Sequence, residues 1–263
     1  MIIRTIDRKI RNAFSDASIQ YDVLTGLHKE IGRELVNKIK HIEDAQAILD
    51  VGMGTGWLTN RLSYFFPDAQ VIGLDFAPGM IDAAKKFNEG FAIVQADAGA
   101  LPFQNEVFDI VISNLAYQWV ENTHQAFKSC HASLKGNGIF CFTMFGYNTL
   151  NELFISLENS WDNKDGLMQL PIRRLAKQSD IRDALTEADF RDIDVDYERI
   201  KVHFPDMMSL MKWIKNIGAN ALEKEMYIGK DLLIRADEYY NTHFKDHLGI
   251  CSTFEVIWGM ARK

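Results

Sequence analysis

The sequence predicts an α/β fold, a doubly wound and mostly parallel seven-stranded sheet with an antiparallel C-terminal strand. The first observation is an apolar run, Ala47–Val51, that leads directly into alternate glycines. The second is the alternation of strand-like and helix-like segments from there to Phe145, which is typical of parallel βαβ units. The third is FDIVISN, residues 108–114, which suits a central strand buried on both faces. Together they predict a Rossmann-like core, and the helical segments that follow it predict a helical cap.

The bulk composition is that of a globular protein. The 263 residues, 47% hydrophobic and 25% charged, suffice for one large α/β domain. The net charge of −7 disfavours non-specific nucleic-acid binding, because polyphosphate attracts basic surfaces. The three cysteines are far apart and lack C-x-x-C spacing, so neither a zinc site nor a disulfide framework is indicated. No apolar run approaches the roughly 18 residues of a membrane helix, and the N-terminus is too charged for a signal peptide. We therefore expect a cytoplasmic protein without a metal or a membrane partner.

The predicted elements follow the chain as one domain, residues 1–263. Residues 1–45 form an N-terminal helical segment, 46–145 the core, and 146–178 with 205–250 the cap. Strands are predicted by apolar runs at 47–51, 70–75, 92–95, 108–114 and 139–145, by alternation at 191–197, and by the final run at 254–262. Helices are predicted at 55–66, from Pro78 in a first turn, and at 123–134, 146–161, 179–188, 205–217 and 229–244.

The N-terminal segment has two interpretations. Ile6, Ile10 and Phe14 recur at helical spacing, and a second amphipathic stretch covers residues 21–42. Between them, FSDASIQYD, residues 14–22, interrupts the pattern. The segment is either a cap packed on the sheet edge or a lid over a ligand, with Tyr21 reaching inward.

The glycine turn follows the first predicted strand. Gly52, Gly54 and Gly56 follow Asp50 in the pattern D-x-G-x-G-x-G. The dinucleotide-binding fingerprint has its third glycine one place later, where this chain has Trp57, so that fingerprint fails. Glycines allow positive φ angles and close approach of a ligand to the backbone. The turn therefore predicts a ligand site, and a purely structural βα turn is the alternative.

Acidic residues end or follow the next two strands. Asp75 ends the second strand, where a carboxylate is placed to accept hydrogen bonds from two ribose hydroxyls. A helix-capping surface aspartate is the alternative. Asp97 and Ala98 follow the third strand, where an acid and a small residue are placed to meet an adenine edge.

The fourth strand ends in a polar and aromatic cluster. NLAYQW, residues 114–119, stands at the carboxyl end of a central strand, where open α/β sheets hold their ligands. Asn114, Tyr117, Gln118 and Trp119 are therefore expected to line and position the reacting end. A core role is the alternative for Trp119.

These motifs together carry a resemblance to a known family. FSDASIQYD, LDVGMGTGWL, GLDFAPGMIDAA, QADAGALPF, FDIVISNLAYQW and FEVIWGMARK resemble the malonyl-acyl-carrier-protein O-methyltransferases of biotin synthesis, a branch of the class I S-adenosylmethionine (SAM) methyltransferases. The resemblance implies methyl transfer from SAM to the free carboxyl of a malonyl thioester on acyl carrier protein. It departs at Asp16, where an arginine often follows F-S in this branch. The residues that it implies for SAM are Tyr21, Asp50, Gly52, Gly54, Gly56, Asp75, Phe76, Met80, Asp97, Ala98 and Asn114.

A carboxylate acceptor needs no general base, because it is already ionised at neutral pH. It needs a cation to hold it, and an arginine suits this role. The candidates are Arg173 and Arg174, with Arg199 less favoured. Arg173, Arg174 and Lys177 form one candidate patch for the carrier, and Lys212 with Lys215 a second. A solvated surface charge is the alternative for each.

Three other functions share the same SAM motifs. One is methylation of a small free acid, and another is esterification of a carboxymethyl base in tRNA, which the net charge disfavours. The third is a SAM-binding assembly factor that lacks this activity and acts on a partner protein.

Overall fold

A computed structural model describes residues 5–88, 90–161, 175–219 and 229–263. Its helices are α1 (Thr5–Ala17), α2 (Tyr21–Leu24), α3 (Gly26–Ile39), α4 (Trp57–Phe65), α5 (Pro78–Lys86), α6 (Thr123–Ser133), α7 (Asn151–Ser160), α8 (Gln178–Glu187), α9 (Met207–Asn216) and α10 (Lys230–His243), with a 3-10 helix at Tyr117–Trp119. Its strands are β1 (Ala47–Val51), β2 (Gln70–Asp75), β3 (Ala92–Gln95), β4 (Phe108–Asn114), β5 (Leu134–Phe145), β6 (Arg191–Phe204), β7 (Lys245–Asp246) and β8 (Gly249–Arg262).

The strands form one sheet in the order β3-β2-β1-β4-β5-β8-β6, and β7 pairs with β8 beside this path. Strands β1 to β5 pair in parallel, and the C-terminal β8 runs antiparallel to both of its long neighbours. The predicted doubly wound α/β fold with an antiparallel C-terminal strand is confirmed. The two-residue strand β7 is an addition to the seven predicted strands.

Alternate strand residues supply the two faces of the sheet, as the period of two requires. Leu49 and Val111 pack in one apolar cluster with residues of α6 and α8. Ile48 and Ile110 pack in another with residues of α3, α4 and α5. Helices therefore cover both faces of the sheet. The loops at the carboxyl ends of the strands form the edge at which a ligand is expected.

Strands β6 and β8 are longer than predicted. They pair from Arg191–Arg262 as far as Phe204–Ile250, with an irregularity between Arg191 and Asp194, whereas β5 ends opposite Val256. The ribbon therefore extends past the parallel sheet. Charged residues on the exposed face of β6 hid the alternation that continues to its end. The ribbon leads into α9 and α10, which share an apolar cluster with α7.

The helix predicted at 146–161 begins only at Asn151. The preceding residues bond to β8 instead: the Gly146 amide donates to the Glu255 carbonyl at 2.7 Å, and the Leu150 amide to the Thr253 carbonyl at 2.7 Å. Leu150 itself has a positive φ of 58°. Tertiary hydrogen bonds thus override the helical pattern in this turn.

None of the helices in the described ranges combines the length and the apolar character that a membrane crossing requires.

Candidate functional site

A cavity of about 480 Å³ opens at the carboxyl edge of the parallel strands. Residues after β1, β2, β3 and β4 form its floor, and Ile10, Arg11 and Phe14 of α1 cover it. Of the predicted ligand residues, the structure places these in its lining: Tyr21, Gly52, Gly54, Asp75, Phe76, Met80, Asp97, Ala98, Asn114 and Trp119. The sheet topology therefore gathers most of the predicted set at one cavity.

The glycine turn has the backbone that the sequence predicted. Gly52 has a φ of 77° and Gly56 a φ of 83°. Residues with a Cβ rarely adopt such positive φ angles. A Cβ on Gly52 would also clash with the Ala116 methyl group, and one on Gly56 would lie 2.8 Å from the Phe91 ring. Gly56 lies outside the cavity lining and caps α4. The structure therefore gives Gly56 a packing role against Phe91 at the start of α4.

Asp75 ties the glycine turn to the second strand. Its Oδ2 accepts a hydrogen bond from the Gly54 amide at 2.9 Å, and its Oδ1 accepts one from the Ala77 amide at 2.8 Å. Burial raises the pKa of this carboxyl, while those amides and that of Phe76 lower it. Each carboxylate oxygen keeps capacity for a further donor. The side chain can thus hold the turn and bind a diol at the same time.

Asp50 lies beneath the turn and lines a second, smaller cavity of about 50 Å³ rather than the main one. Its Oδ2 accepts from the Thr59 hydroxyl at 2.7 Å. Its Oδ1 is buried and has no hydrogen-bond partner among the described residues. Burial raises the pKa of Asp50 to about 7, opposed by the Thr59 hydrogen bond and assisted by the charge of Asp75.

The residues after β4 divide between the cavity and the core. Trp119 lines the cavity and packs edge-to-face against Phe14, with ring centroids 5.3 Å apart. Tyr117 is fully buried and contacts Phe127 and Phe140 edge-on. Its predicted role at the reacting end is therefore wrong, because the 3-10 turn sends this ring into the core.

Gln118 also turns away from the cavity. It is buried, and its Nε2 donates to the Leu115 carbonyl at 2.8 Å. The prediction that it lines the reacting end is wrong for the same geometric reason. Asn114 does line the cavity, where its amide donates to the His28 carbonyl at 3.0 Å and accepts from the Thr143 hydroxyl at 2.8 Å.

The N-terminal segment covers the cavity, which supports the lid interpretation. The Gly79 amide donates to the Ser15 hydroxyl at 3.3 Å, and a Cβ on Gly79 would clash with the Ser15 backbone. This contact holds α1 against the start of α5.

Two residues of the N-terminal segment differ in their exposure. Asp16 is exposed on α1. Burial raises the pKa of the Tyr21 phenol, helped by the charges of Asp75 and Asp22, so Tyr21 stays neutral.

The predicted basic residues are only partly described. Arg173 and Arg174 lie outside the described residues. Lys177 has its ammonium group 5.1 Å from the centroid of the Tyr147 ring, just beyond the carboxyl end of β5. Arg199 donates to the buried Glu255 carboxylate at 3.1 Å, which gives it a structural partner.

Residues of the site that the sequence did not reveal include Arg11, Gln125 and His28. Arg11 and Gln125 line the main cavity, and His28 lines the smaller one. Helical spacing put Ile10 and Phe14 on one face of α1, and Arg11 follows Ile10. No pattern marked His28, because two of its three aromatic neighbours, Phe145 and Trp213, come from distant parts of the chain.

Comparisons with known proteins agree with this architecture. The family described as "Methyltransferase domain" matches residues 49–142. The YcgJ protein from Bacillus subtilis has a TM-score of 0.61 at 17% identity, covering 88% of this chain and 98% of that one. Phosphoethanolamine N-methyltransferase 2 from Haemonchus contortus, solved with SAM, has a TM-score of 0.58 at 18% identity, covering 94% of this chain and 56% of that one. At these identities the structures show the shared fold.

Sequence relatives are more specific. The malonyl-[acyl-carrier protein] O-methyltransferase of Methylococcus capsulatus is 30% identical over 95% of this chain and 92% of its own length. That of Hahella chejuensis is 32% identical over 92% of this chain and 88% of its own. The chain therefore belongs to the malonyl-[acyl-carrier protein] O-methyltransferase family and is a SAM-dependent methyltransferase.

Proposed function

We propose that this enzyme transfers the methyl group of SAM to the free carboxyl of a malonyl group held as a thioester on acyl carrier protein. The carboxylate oxygen forms a bond to the methyl carbon while the carbon–sulfur bond breaks, leaving S-adenosylhomocysteine. The ester hides a charge that chain-elongating enzymes would reject, which suits an early step of biotin synthesis in the cytoplasm.

The observation that carries this proposal is the extent of the similarity. The methyltransferase domain match ends at residue 142, whereas the relatives align over more than nine tenths of the chain. The alignment therefore includes the N-terminal lid and the segments after β5, which lie outside the SAM-binding core. In an enzyme with a common cofactor half, those segments are where acceptor specificity resides.

The cavity suits an acceptor that is already ionised. A malonyl carboxyl has an ordinary pKa of about 4, so it needs no general base. The described residues that line the main cavity include neither histidine nor cysteine. Positioning then supplies much of the catalysis, and well-oriented reactants save on the order of 7–11 kcal/mol.

We assign the SAM contacts from the geometry of the main cavity and, for Asp50, of the smaller cavity beside it. Asp75 is proposed to accept from the ribose hydroxyls, and Asp97 with Ala98 to meet the adenine. Gly52, Gly54 and Asp50 surround the amino-acid end, and Tyr21 with Trp119 close the cavity from the lid side.

Direct comparison of acceptors tests the proposed function. We expect methyl-labelled SAM to label malonyl-acyl carrier protein in preference to malonyl-CoA, and both in preference to free malonate. Label on free diacids alone would favour a small-acid methyltransferase. SAM binding without transfer to any acid would favour an assembly factor.

The carrier should dock on a basic patch of this acidic enzyme. Lys212 and Lys215 are exposed on α9, whose Trp213 donates to the Leu24 carbonyl of α2 at 2.9 Å. This patch therefore stands beside the lid. Lys177 lies near the carboxyl end of β5 and marks the other candidate patch.

Charge reversal distinguishes the two patches. One variant combines Lys212→Glu with Lys215→Glu, and the other carries Lys177→Glu alone. We expect the variant that alters the true docking patch to raise the KM for malonyl-acyl carrier protein by about 10-fold, because charges at the rim of an interface steer association. The SAM Kd should not change. Lys40→Glu is a matched control, since Lys40 is exposed at the end of α3 near the amino end of β1. An unchanged KM for both patches would rule out docking at either.

A further inference from the structure

The small cavity of about 50 Å³ lies beside the main one and shares part of its lining. Tyr21, Gly52, Gly54 and Asn114 border both. His28 and Asp50 border only the smaller cavity. A ligand group that enters past the glycine turn from the main cavity would therefore meet both of these side chains.

His28 is held in an aromatic setting. Its ring meets Phe145 edge-on at 5.7 Å and Tyr21 at 6.0 Å, and Trp213 lies 6.3 Å away. Its Nδ1 is buried without a hydrogen-bond partner among the described residues. Burial lowers the pKa of His28 to about 4, so the ring is neutral at pH 7 and carries one N–H donor.

Leaving a buried polar group unpaired is destabilising, and most such groups in native proteins have a partner. None of the described residues forms a hydrogen bond with the Nδ1 atom of His28. Its rotation is limited by three rings contributed by α2, β5 and α9. The ring is therefore held in place with an unsatisfied polar atom.

One feature of this cavity favours a negative ligand group near His28. Trp57 and Leu58, which begin α4, line the cavity, and α4 has no side-chain cap at its N-terminus, an end that attracts anions. Lys29 also lines the cavity, but its ammonium group is paired with Asp22 at 3.1 Å, so the preference comes from the helix end.

Asp50 favours a positively charged or hydrogen-bond-donating ligand group, because its Oδ1 has no hydrogen-bond partner among the described residues. A ligand end that carries both a carboxylate and an ammonium group would satisfy His28 and Asp50 together. The α-amino acid end of SAM has this composition.

We infer that His28 donates a hydrogen bond to a ligand carboxylate in the small cavity. The enzyme's two reactants both supply such a group: the amino-acid end of SAM, and the malonyl acceptor of the proposed function. The second source rests on that proposed function, whereas the first requires only SAM binding.

Three variants distinguish the effect of the N–H donor of His28 from the effect of its ring packing. His28→Phe keeps the aromatic packing and removes the N–H, His28→Asn keeps a donor near Nδ1, and His28→Gln keeps one near Nε2. His131→Phe is the matched control, because His131 packs edge-on against Phe190 at 5.0 Å outside both cavities. Thermal melting verifies that each variant is folded.

Calorimetry without acceptor tests the first source. We expect His28→Phe to weaken SAM binding about 10-fold and to leave binding of decarboxylated SAM unchanged. His28→Asn or His28→Gln should restore the SAM affinity. This experiment uses no acyl carrier protein, so its outcome is independent of the proposed acceptor.

Steady-state kinetics tests the second source. If the malonyl carboxylate is the partner, His28→Phe should leave the SAM Kd unchanged and raise the KM for malonyl-acyl carrier protein about 10-fold. The inference is overturned if neither constant changes. It is equally overturned if SAM and decarboxylated SAM lose the same affinity while the acceptor KM stays constant, because that result indicates general disruption.

Discussion

Replacing Asp50 with asparagine should make the ligand-free enzyme more stable above pH 7 and should weaken its binding of SAM. Asparagine matches the shape of aspartate, and its Oδ1 can accept the Thr59 hydroxyl that Asp50 accepts at 2.7 Å. It carries no charge at any pH. The substitution therefore isolates the buried negative charge.

The stability effect follows from the direction of the pKa change. Burial raises the pKa of Asp50 from 3.8 to about 7 in the folded protein, so folding favours the protonated carboxyl. The stabilising contribution of that proton is fully present below about pH 4 and is lost as the pH rises through about 7. At about 1.4 kcal/mol for each pH unit, the loss amounts to roughly 4 kcal/mol.

Chemical denaturation at two pH values measures this effect. We expect Asp50→Asn to exceed the wild type by about 2 kcal/mol at pH 8, allowing for the hydrogen bond that a neutral amide makes less well. The advantage of the variant should shrink by roughly 3 kcal/mol between pH 8 and pH 5, because about 1.4 kcal/mol is lost for each pH unit from pH 5 up to the folded pKa of about 7. A stability difference of the same size at both pH values would contradict a buried charge as the cause.

The binding effect has the opposite sign. If Asp50 accepts the ammonium group of SAM, its ionised form is the one that binds, and wild-type affinity should rise with pH between about 5.5 and 7.5. Asp50→Asn should bind about 10- to 100-fold more weakly at pH 7.5, the cost of a hydrogen bond to a charged group, and without that pH dependence. An identical pH profile in both proteins would exclude Asp50 as the titrating group.

The core of the fold was predictable because its signals are local. Ala47–Val51, Gln70–Asp75 and Phe108–Asn114 are strands with the predicted bounds, since a buried parallel strand needs a short apolar run. The turn at 146–150 was not predictable in this way. Its geometry depends on Glu255 and Thr253 of β8, which are remote in sequence.

The same distinction explains the site. The place of Asp75 in the cavity lining was predictable because Asp75 stands at the carboxyl end of a strand. Tyr117 and Trp119 stand two residues apart in one aromatic cluster, and only the 3-10 helix decides that Tyr117 faces the core and Trp119 the cavity. His28 acquires its setting from three separate elements, so nothing in its own segment marks it.

Replacing Asp75 with alanine should cause the largest loss of SAM affinity. The change removes the acceptor of the Gly54 and Ala77 amides and the proposed acceptor of two ribose hydroxyls. Each hydrogen bond to a charged group contributes about 1.5–3 kcal/mol, so the SAM Kd measured by calorimetry should rise at least about 100-fold.

Asp109→Ala is the matched control for the structural part of this loss. Asp109 Oδ2 accepts the Gln46 and Ala47 amides, both at 2.9 Å, and Lys135 lies 2.9 Å away. It thus holds two backbone amides as Asp75 does, but it stands at the amino end of β4, outside the cavity lining. Asp109→Ala should lower the melting temperature and leave the SAM Kd of the folded protein unchanged.

The ribose contact itself is tested by changing the ligand. Wild-type enzyme should bind S-adenosylhomocysteine more tightly than its 2′-deoxy analogue, because a carboxylate that loses one hydroxyl donor is left partly unpaired. Asp75→Ala should bind the two ligands with nearly equal affinity, since it has no carboxylate to leave unpaired. If Asp75→Ala discriminates between them as strongly as the wild type does, Asp75 acts only by holding Gly54 and the turn, and another group contacts the ribose.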